Sequence, residues 1–187
     1  MDLEKTGLRD EELVLKAKQG DLSAFEELIR RHQQGLFSFI YRIVNNSDAA
    51  EELAQEAWVK ACKSLKGFKG KSGFKTWVYR IGMNLAFNFR TRTKPTEELS
   101  ELLPAAEASQ PEESFRQKRQ KEIVSQALMR LPVDQRTAIV LSVYEEMSYK
   151  EIAEVMKKSV RAVDSLLVRA RTNLRQLLTP ARKKGWV

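Results

Sequence analysis

A chain of 187 residues is long enough for one ordinary domain or two small ones with real cores. Its 33 Lys and Arg against 25 Asp and Glu leave a formal charge of +8, which favours an anionic partner such as nucleic acid. One cysteine, Cys62, and one histidine, His32, exclude an internal disulfide framework and a Cys/His zinc site, so neither metal nor cofactor is expected.

The first segment, "MDLEKTGLRDEELVLKAKQG", lacks an apolar core of signal-peptide type. No later run approaches the roughly 18 apolar residues of a membrane span. The expectation is a soluble cytoplasmic protein with no membrane insertion. "DEELVLKAK" reads as a helix ending at Gly20, and "LSAFEELIRRHQQGLFSFIYRIV" repeats apolar residues at three and four. His32 falls there among Arg30, Arg31, Gln33 and Gln34, with no serine or cysteine motif near it, and reads as a surface residue. "NNSD" breaks the pattern, with Asp48 placed to cap the next helix.

In "AAEELAQEAWVKACKSL" the buried side is Leu53, Ala57, Ala61 and Leu65. The outward side is Asp48, Glu52, Gln55, Glu56 and Val59. An acidic face on a basic protein repels phosphate but suits a basic protein surface, with Val59 as an apolar contact. Cys62, on the same helix, reads as a partly buried structural thiol.

The loop "KGFKGKSG" and the helix "FKTWVYRIGMNLAFNFR" mix cations with aromatic rings, the combination that unstacked bases and their backbone require. Most of the rings belong in the core: Phe74, Trp77 and Ile81 share a face. Phe68, in the loop, is the expected base contact, and Asn84 is placed to read a base edge.

From Thr93 to Gln117, "TKPTEELSELLPAAEASQPEESFRQ" has three prolines, excess glutamate and no apolar period. That is a linker composition. Helical patterns resume in "KRQKEIVSQALMRL", stop at Pro132, return in "DQRTAIVLSVY" and end in "SYKEIAEVMKKSVRAVDSLLVRARTNLR". The expected fold is all-α: two small helical domains, 1–92 and 118–187, with a flexible acidic linker over 93–117.

Ser148 and Glu151 form a capping-box pattern, and Ser159 can cap the last helix. At roughly 100° per residue, Val160, Val163, Leu167, Ala170 and Leu174 share a core face. Arg161, Ser165, Arg169 and Thr172 lie opposite, with Val168 beside them. A short helix, a tight break and a basic second helix make a helix-turn-helix, whose second helix enters the major groove and presents arginines to guanine edges. The turn "KKS" has no glycine, so Lys157 or Lys158 has to take up the conformation glycine usually supplies, unless the turn differs. An Arg161–Asp164 pair is expected at the edge of the stripe. The tail "TPARKKGWV" reads as an unstructured end.

Four stretches in order carry a family resemblance: "DAAEELAQEAWVKACKSL", "FKGKSGFKTWVYRIGMN", "LMRLPVDQRTAIVLSVYEEMSYKEIAEVM" and "SVRAVDSLLVRARTNLR". The chain resembles the extracytoplasmic-function sigma factors of bacterial RNA polymerase, over nearly its whole length. By that resemblance 1–92 is sigma region 2 and 118–187 is sigma region 4. Asp48, Glu52, Gln55, Glu56 and Val59 would bind the β′ clamp helices of core polymerase, whose β subunit is a further expected partner. Ser64, Phe68, Lys69, Gly70, Lys71 and Asn84 would capture a flipped base of the minus-ten element. Arg161, Ser165, Val168, Arg169 and Thr172 would read the minus-thirty-five element as duplex.

The linker would occupy the path of nascent RNA, and an anti-sigma factor is an expected partner. Many members carry basic residues where Asp164 and Leu166 stand here. The alternative is a dimeric helix-turn-helix regulator that binds duplex DNA alone. In either case no enzymatic activity is expected.

Overall fold

The computed structural model of the protein describes residues 7–93 and 111–183, with side chains described from Lys118 onward in the second stretch. Every regular element among the described residues is helical. The first half holds α1 (Asp10–Lys18), α2 (Leu22–Val44), α3 (Ser47–Ser64), a 3₁₀ turn (Leu65–Gly67) and α4 (Phe74–Arg92). The second holds α5 (Pro111–Met129), α6 (Val133–Val143), α7 (Tyr149–Met156) and α8 (Val160–Lys183).

Local chemistry explains the ends. Asp21 caps α2 by accepting from the Ala24 N–H at 3.2 Å, and Asn45 ends it in the left-handed conformation, φ 56°. The cap of α3 is Asn46, whose side chain accepts from the Ala49 N–H at 2.8 Å, not Asp48. Asp48 is the second residue of the helix, in its first turn, where its charge faces the positive end of the helix dipole. The reason is that α3 begins at Ser47, earlier than the apolar period shows.

The linker expected at 93–117 mostly lies outside the described residues. Its last seven residues, 111–117, belong to α5, which opens on Pro111, a residue suited to the first helical position. Of the C-terminal tail, residues 179–183 are helical rather than irregular, since α8 continues through Pro180 to Lys183, and the last four residues lie outside the described residues.

In the N-terminal domain α2 is the hub, packed on α1, α3 and α4. Phe39, Leu28, Leu36 and Ile40 are fully buried, each worth about 1.5–3 kcal/mol of burial. Gly82 lets α4 approach α2, since a Cβ there would stand 2.8 Å from a Leu36 methyl. His32 is not a surface residue: its Nε2 lies 2.6 Å from Asp10 Oδ2, and Arg31 donates to Asp10 Oδ1 at 3.1 Å. Both tie α2 to α1. The His32 hydrogen bond, with Arg31 beside it, lowers the Asp10 pKa despite partial burial.

The C-terminal domain packs α6 and α7 against α8, with α5 also on α8. The two domains meet: α4 packs on α7, and α2 on α6 and α5. Arg136, 3% exposed, donates to the Ile43 carbonyl of the other domain at 3.3 Å.

Candidate partner and nucleic-acid interfaces

Three surfaces collect the residues singled out in the sequence. The first is the outer face of α3. Ala50, Leu53, Ala54, Ala57 and Ala61 are buried, and their small size brings α3 close to α2 and α4. Asp48, Glu52, Gln55, Glu56 and Val59 are all exposed on the opposite side. Glu51, not part of the expected stripe, is exposed beside them, with Gln55 Nε2 3.5 Å from its carboxylate. Glu56 pairs with Lys60 at 3.1 Å, a solvated pair worth little to stability. Cys62 is exposed rather than partly buried, because Ala61, not Cys62, takes the inward position at that level of the helix.

The second surface is the loop between the 3₁₀ turn and α4. Gly70 adopts φ 67°, which only glycine takes without strain, and exposes Lys69 and Lys71 on either side. Phe68, the expected base contact, has its ring mostly covered: it is 8% exposed, tilted over Trp77 at 4.8 Å and edge-on to Phe74 at 6.3 Å. What remains open is the part lining a cavity of about 400 Å³ between α1 and this loop. Phe68, Lys69, Gly70 and Lys71 line it together.

Ser64 and Asn84 do not line that cavity. Ser64 donates to the Lys60 carbonyl at 2.5 Å, and Asn84 is exposed further along α4. The opposite wall comes from α1, with Leu15 and Lys18, and Lys18 Nζ donates to the Phe68 carbonyl. That contact crosses 50 residues, and no pattern within α1 announces it.

The third surface is the helix-turn-helix. Ser148 and Glu151 form the expected capping box, and the bonds from Ser148 lower the Glu151 pKa. Lys157 takes the left-handed conformation in the turn, φ 51°. Ser159 accepts from the Ala162 N–H at 3.2 Å and starts α8. Arg161, Ser165, Arg169 and Thr172 are exposed along α8, with Val168 54% exposed among them.

Ser165 donates to the Arg161 carbonyl at 3.0 Å and Thr172 to the Val168 carbonyl at 3.0 Å. Their hydroxyl protons are engaged, so both can act toward an outside partner as acceptors. Two expectations are corrected. Val160 is 47% exposed, because at the first position of α8 no neighbouring helix reaches it. Asp164 forms no ion pair with Arg161, and both side chains are exposed to solvent.

Among the described residues no cluster of three or more His, Cys, Asp or Glu side chains could hold a metal ion, and no helix is long and apolar enough to cross a membrane.

Residues 28–96 match the family described as Sigma-70 region 2, and residues 121–174 match Sigma-70, region 4. The RNA polymerase sigma-H factor of Pseudomonas aeruginosa is 36% identical over 183 residues, covering 92% of this chain and 95% of that protein. The ECF RNA polymerase sigma-E factor of Haemophilus influenzae is 34% identical over 186 residues, covering 92% and 97%. Among solved structures, CnrH in complex with the cytosolic domain of CnrY superposes with a TM-score of 0.72 at 27% identity, covering 91% of this chain and 97% of that one. The sigma factor RpoE of Bartonella quintana, in complex with the anti-sigma factor NepR, gives 0.69 at 25% identity, covering 83% and 96%.

Proposed function

This chain belongs to the sigma-70 family of RNA polymerase sigma factors, in its extracytoplasmic-function group, and we propose from that membership how its three surfaces divide the opening of a promoter. The chain directs core RNA polymerase to promoter DNA for transcription initiation. The observation that carries the division is one of charge: a single chain exposes a carboxylate stripe on α3 and a guanidinium stripe on α8.

The α3 stripe, Asp48, Glu52, Gln55, Glu56 and Val59, docks on the β′ clamp helices of polymerase, with complementary charge setting orientation. The loop residues Ser64, Phe68, Lys69, Gly70 and Lys71, with Asn84, hold the non-template strand at the minus-ten element. The covered Phe68 ring favours a role for its open edge as one wall of a base site over stacking on both faces. On α8, Arg161 and Arg169 donate to guanine edges of the minus-thirty-five element, Val168 meets a thymine methyl, and Ser165 and Thr172 accept.

The chain supplies specificity and strand opening, and nucleotide addition belongs to the polymerase. It works in the cytoplasm, where polymerase is. The Bartonella RpoE is seen in complex with the anti-sigma factor NepR, and an anti-sigma factor is assigned here by that likeness.

Transcription of a genomic library by purified core polymerase, with and without this chain, tests the reading. New start sites sharing two unlike, spaced motifs are expected. Binding to palindromic duplex without polymerase would instead identify a dimeric regulator.

A further inference from the structure

Asp164 is the one acidic residue of α8, a helix that carries five arginines and one lysine between Val160 and Lys183. None of the usual structural roles of a helical carboxylate applies to it. The N-terminus of α8 is capped by Ser159, and Asp164 lies beyond the first turn, where the helix dipole no longer favours an acid. Its side chain is exposed, and among the described residues it enters no ion pair. Lys158, in the turn before α8, pairs instead with Asp134 of α6 at 3.0 Å.

The position of this acid on the helix is specific. At roughly 100° per residue, Asp164 lies about 60° around α8 from Arg161 and about 40° from Val168. Val160 and Val168, four residues before and after it, are 47% and 54% exposed. The row Val160, Asp164, Val168 is therefore open to solvent and runs beside Arg161, Ser165 and Arg169. Its neighbours along that row are apolar, so neither of them neutralises the carboxylate.

A helix in the major groove runs between two rows of phosphates, which repel an acid lying within a Debye length, about 8 Å. A hydrogen-bond donor offsets that repulsion, and the floor of the groove offers two: the N4 amine of cytosine and the N6 amine of adenine. Adenine sets its N7 acceptor beside N6, so a carboxylate that reaches the amine also faces a lone pair. Cytosine sets a C–H there. Guanine and thymine offer no donor on this edge, so the carboxylate rejects them. The rise from Arg161 to Asp164 is about 4.5 Å, against about 3.4 Å between base pairs, which places the two side chains over neighbouring pairs.

We propose that Asp164 is a specificity-determining residue for the minus-thirty-five element: its carboxylate accepts from the N4 amine of a cytosine in the base pair next to the guanine that Arg161 binds. This rests on the reading of α8 given above. The same charge weakens binding to duplex that lacks the cytosine, so Asp164 selects by exclusion as well as by contact.

The test uses core polymerase with the full chain and a promoter pool, made by randomising the minus-thirty-five region of a start site recovered from the genomic library. Bound molecules are sequenced. The parent chain should enrich cytosine at one position about five-fold or more over the other bases. Asp164→Asn should move that position toward adenine, whose N6 and N7 an amide matches, and Asp164→Ala should flatten it. Preferences at the other positions should persist in both. Both variants should also bind DNA without the element about two-fold or more tighter than the parent at low salt, because one negative charge is gone.

Identical preferences in the three chains, or a change spread evenly over the whole element, would overturn the assignment. A variant still specific for cytosine would do the same. If no start site is recovered, or no chain selects any upstream motif, the reading of α8 as a duplex reader fails and the assignment falls with it. A selected motif that is indifferent to residue 164 overturns the assignment alone.

Discussion

The Arg136 guanidinium donates to the Ile43 carbonyl at 3.3 Å across a sequence separation of 93 residues, and the Arg90 guanidinium donates to the same oxygen at 2.8 Å. Two cations, one from each domain, therefore converge on the last turn of α2. Carbonyls there lack intrahelical donors, and the helix dipole favours positive charge. Arg136 also donates to the Met129 and Leu131 carbonyls at 3.2 and 3.3 Å, at the end of α5. Burial, with Arg90 nearby, pulls its pKa down to about 10, so it remains charged at neutral pH. This buried cation is held by carbonyls, with no carboxylate paired to it among the described residues.

Removing Arg136 leaves those carbonyls without a donor. Arg136→Ala should cost about 3 kcal/mol, read as a lowered midpoint in urea unfolding. Arg136→Lys should recover less than half of that loss, because one ammonium does not reproduce the planar fork. A variant as stable as the parent would remove Arg136 from the structural account.

Acid should loosen the N-terminal domain in a defined window. Hydrogen bonds from Arg30 and Arg31 hold the Glu27 pKa down to about 2, and the bond with His32 lowers that of Asp10. A depressed carboxylate stabilises fully above its ordinary value near 4 and loses that stabilisation as pH falls through its folded value. Asp10→Asn with Glu27→Gln should therefore be less stable than the parent at about pH 6. The difference should shrink progressively below about pH 4 and vanish near pH 2. Unfolding midpoints across that range check it, and a difference independent of pH would contradict it.

Reversing two charges on α3 separates docking from folding. Glu52→Lys with Glu56→Lys changes exposed residues and turns the Glu56–Lys60 ion pair into a like-charge spacing, a cost of roughly 0.5–1 kcal/mol in all. Helix content should hold while co-elution with core polymerase is lost. Undiminished co-elution would reject the α3 stripe as the docking face.

Arg161→Ala and Arg169→Ala should each cost about 1–3 kcal/mol of discrimination at one promoter element and leave the other unaffected. Competition binding against single-base promoter variants measures this. Ser165→Ala should cost less, since the Ser165 proton is already given to the Arg161 carbonyl. A uniform loss across all promoter variants would recast both arginines as phosphate contacts.

Lys157 occupies a left-handed conformation that costs a side-chain-bearing residue about 1–2 kcal/mol. Part of this returns in Lys157→Gly, where the unfolded chain gains freedom as well. A net stabilisation of about 0.5 kcal/mol is expected in thermal unfolding, and a destabilised variant would show that the Lys157 side chain contributes contacts of its own.

Helical period alone places α2 at Leu22–Val44, sets the buried line Leu53, Ala57, Ala61 and Leu65 against the acidic stripe of α3, and identifies the Ser148–Glu151 cap. These features depend on neighbours three and four residues apart, which lie together in the sequence. The same rule fails at Val160. Its angle on α8 is that of a core residue, but a core position also needs something to cover it, and at a helix end nothing does.

Tertiary structure alone decides the rest: His32 against Asp10, Lys18 against the Phe68 carbonyl, Tyr79 against Glu145, Arg136 against Ile43. Each joins groups on different elements at separations of 22, 50, 66 and 93 residues. Periodicity tells which face of a helix is apolar. It carries no information on which distant helix will cover that face, because the choice belongs to how several helices pack together.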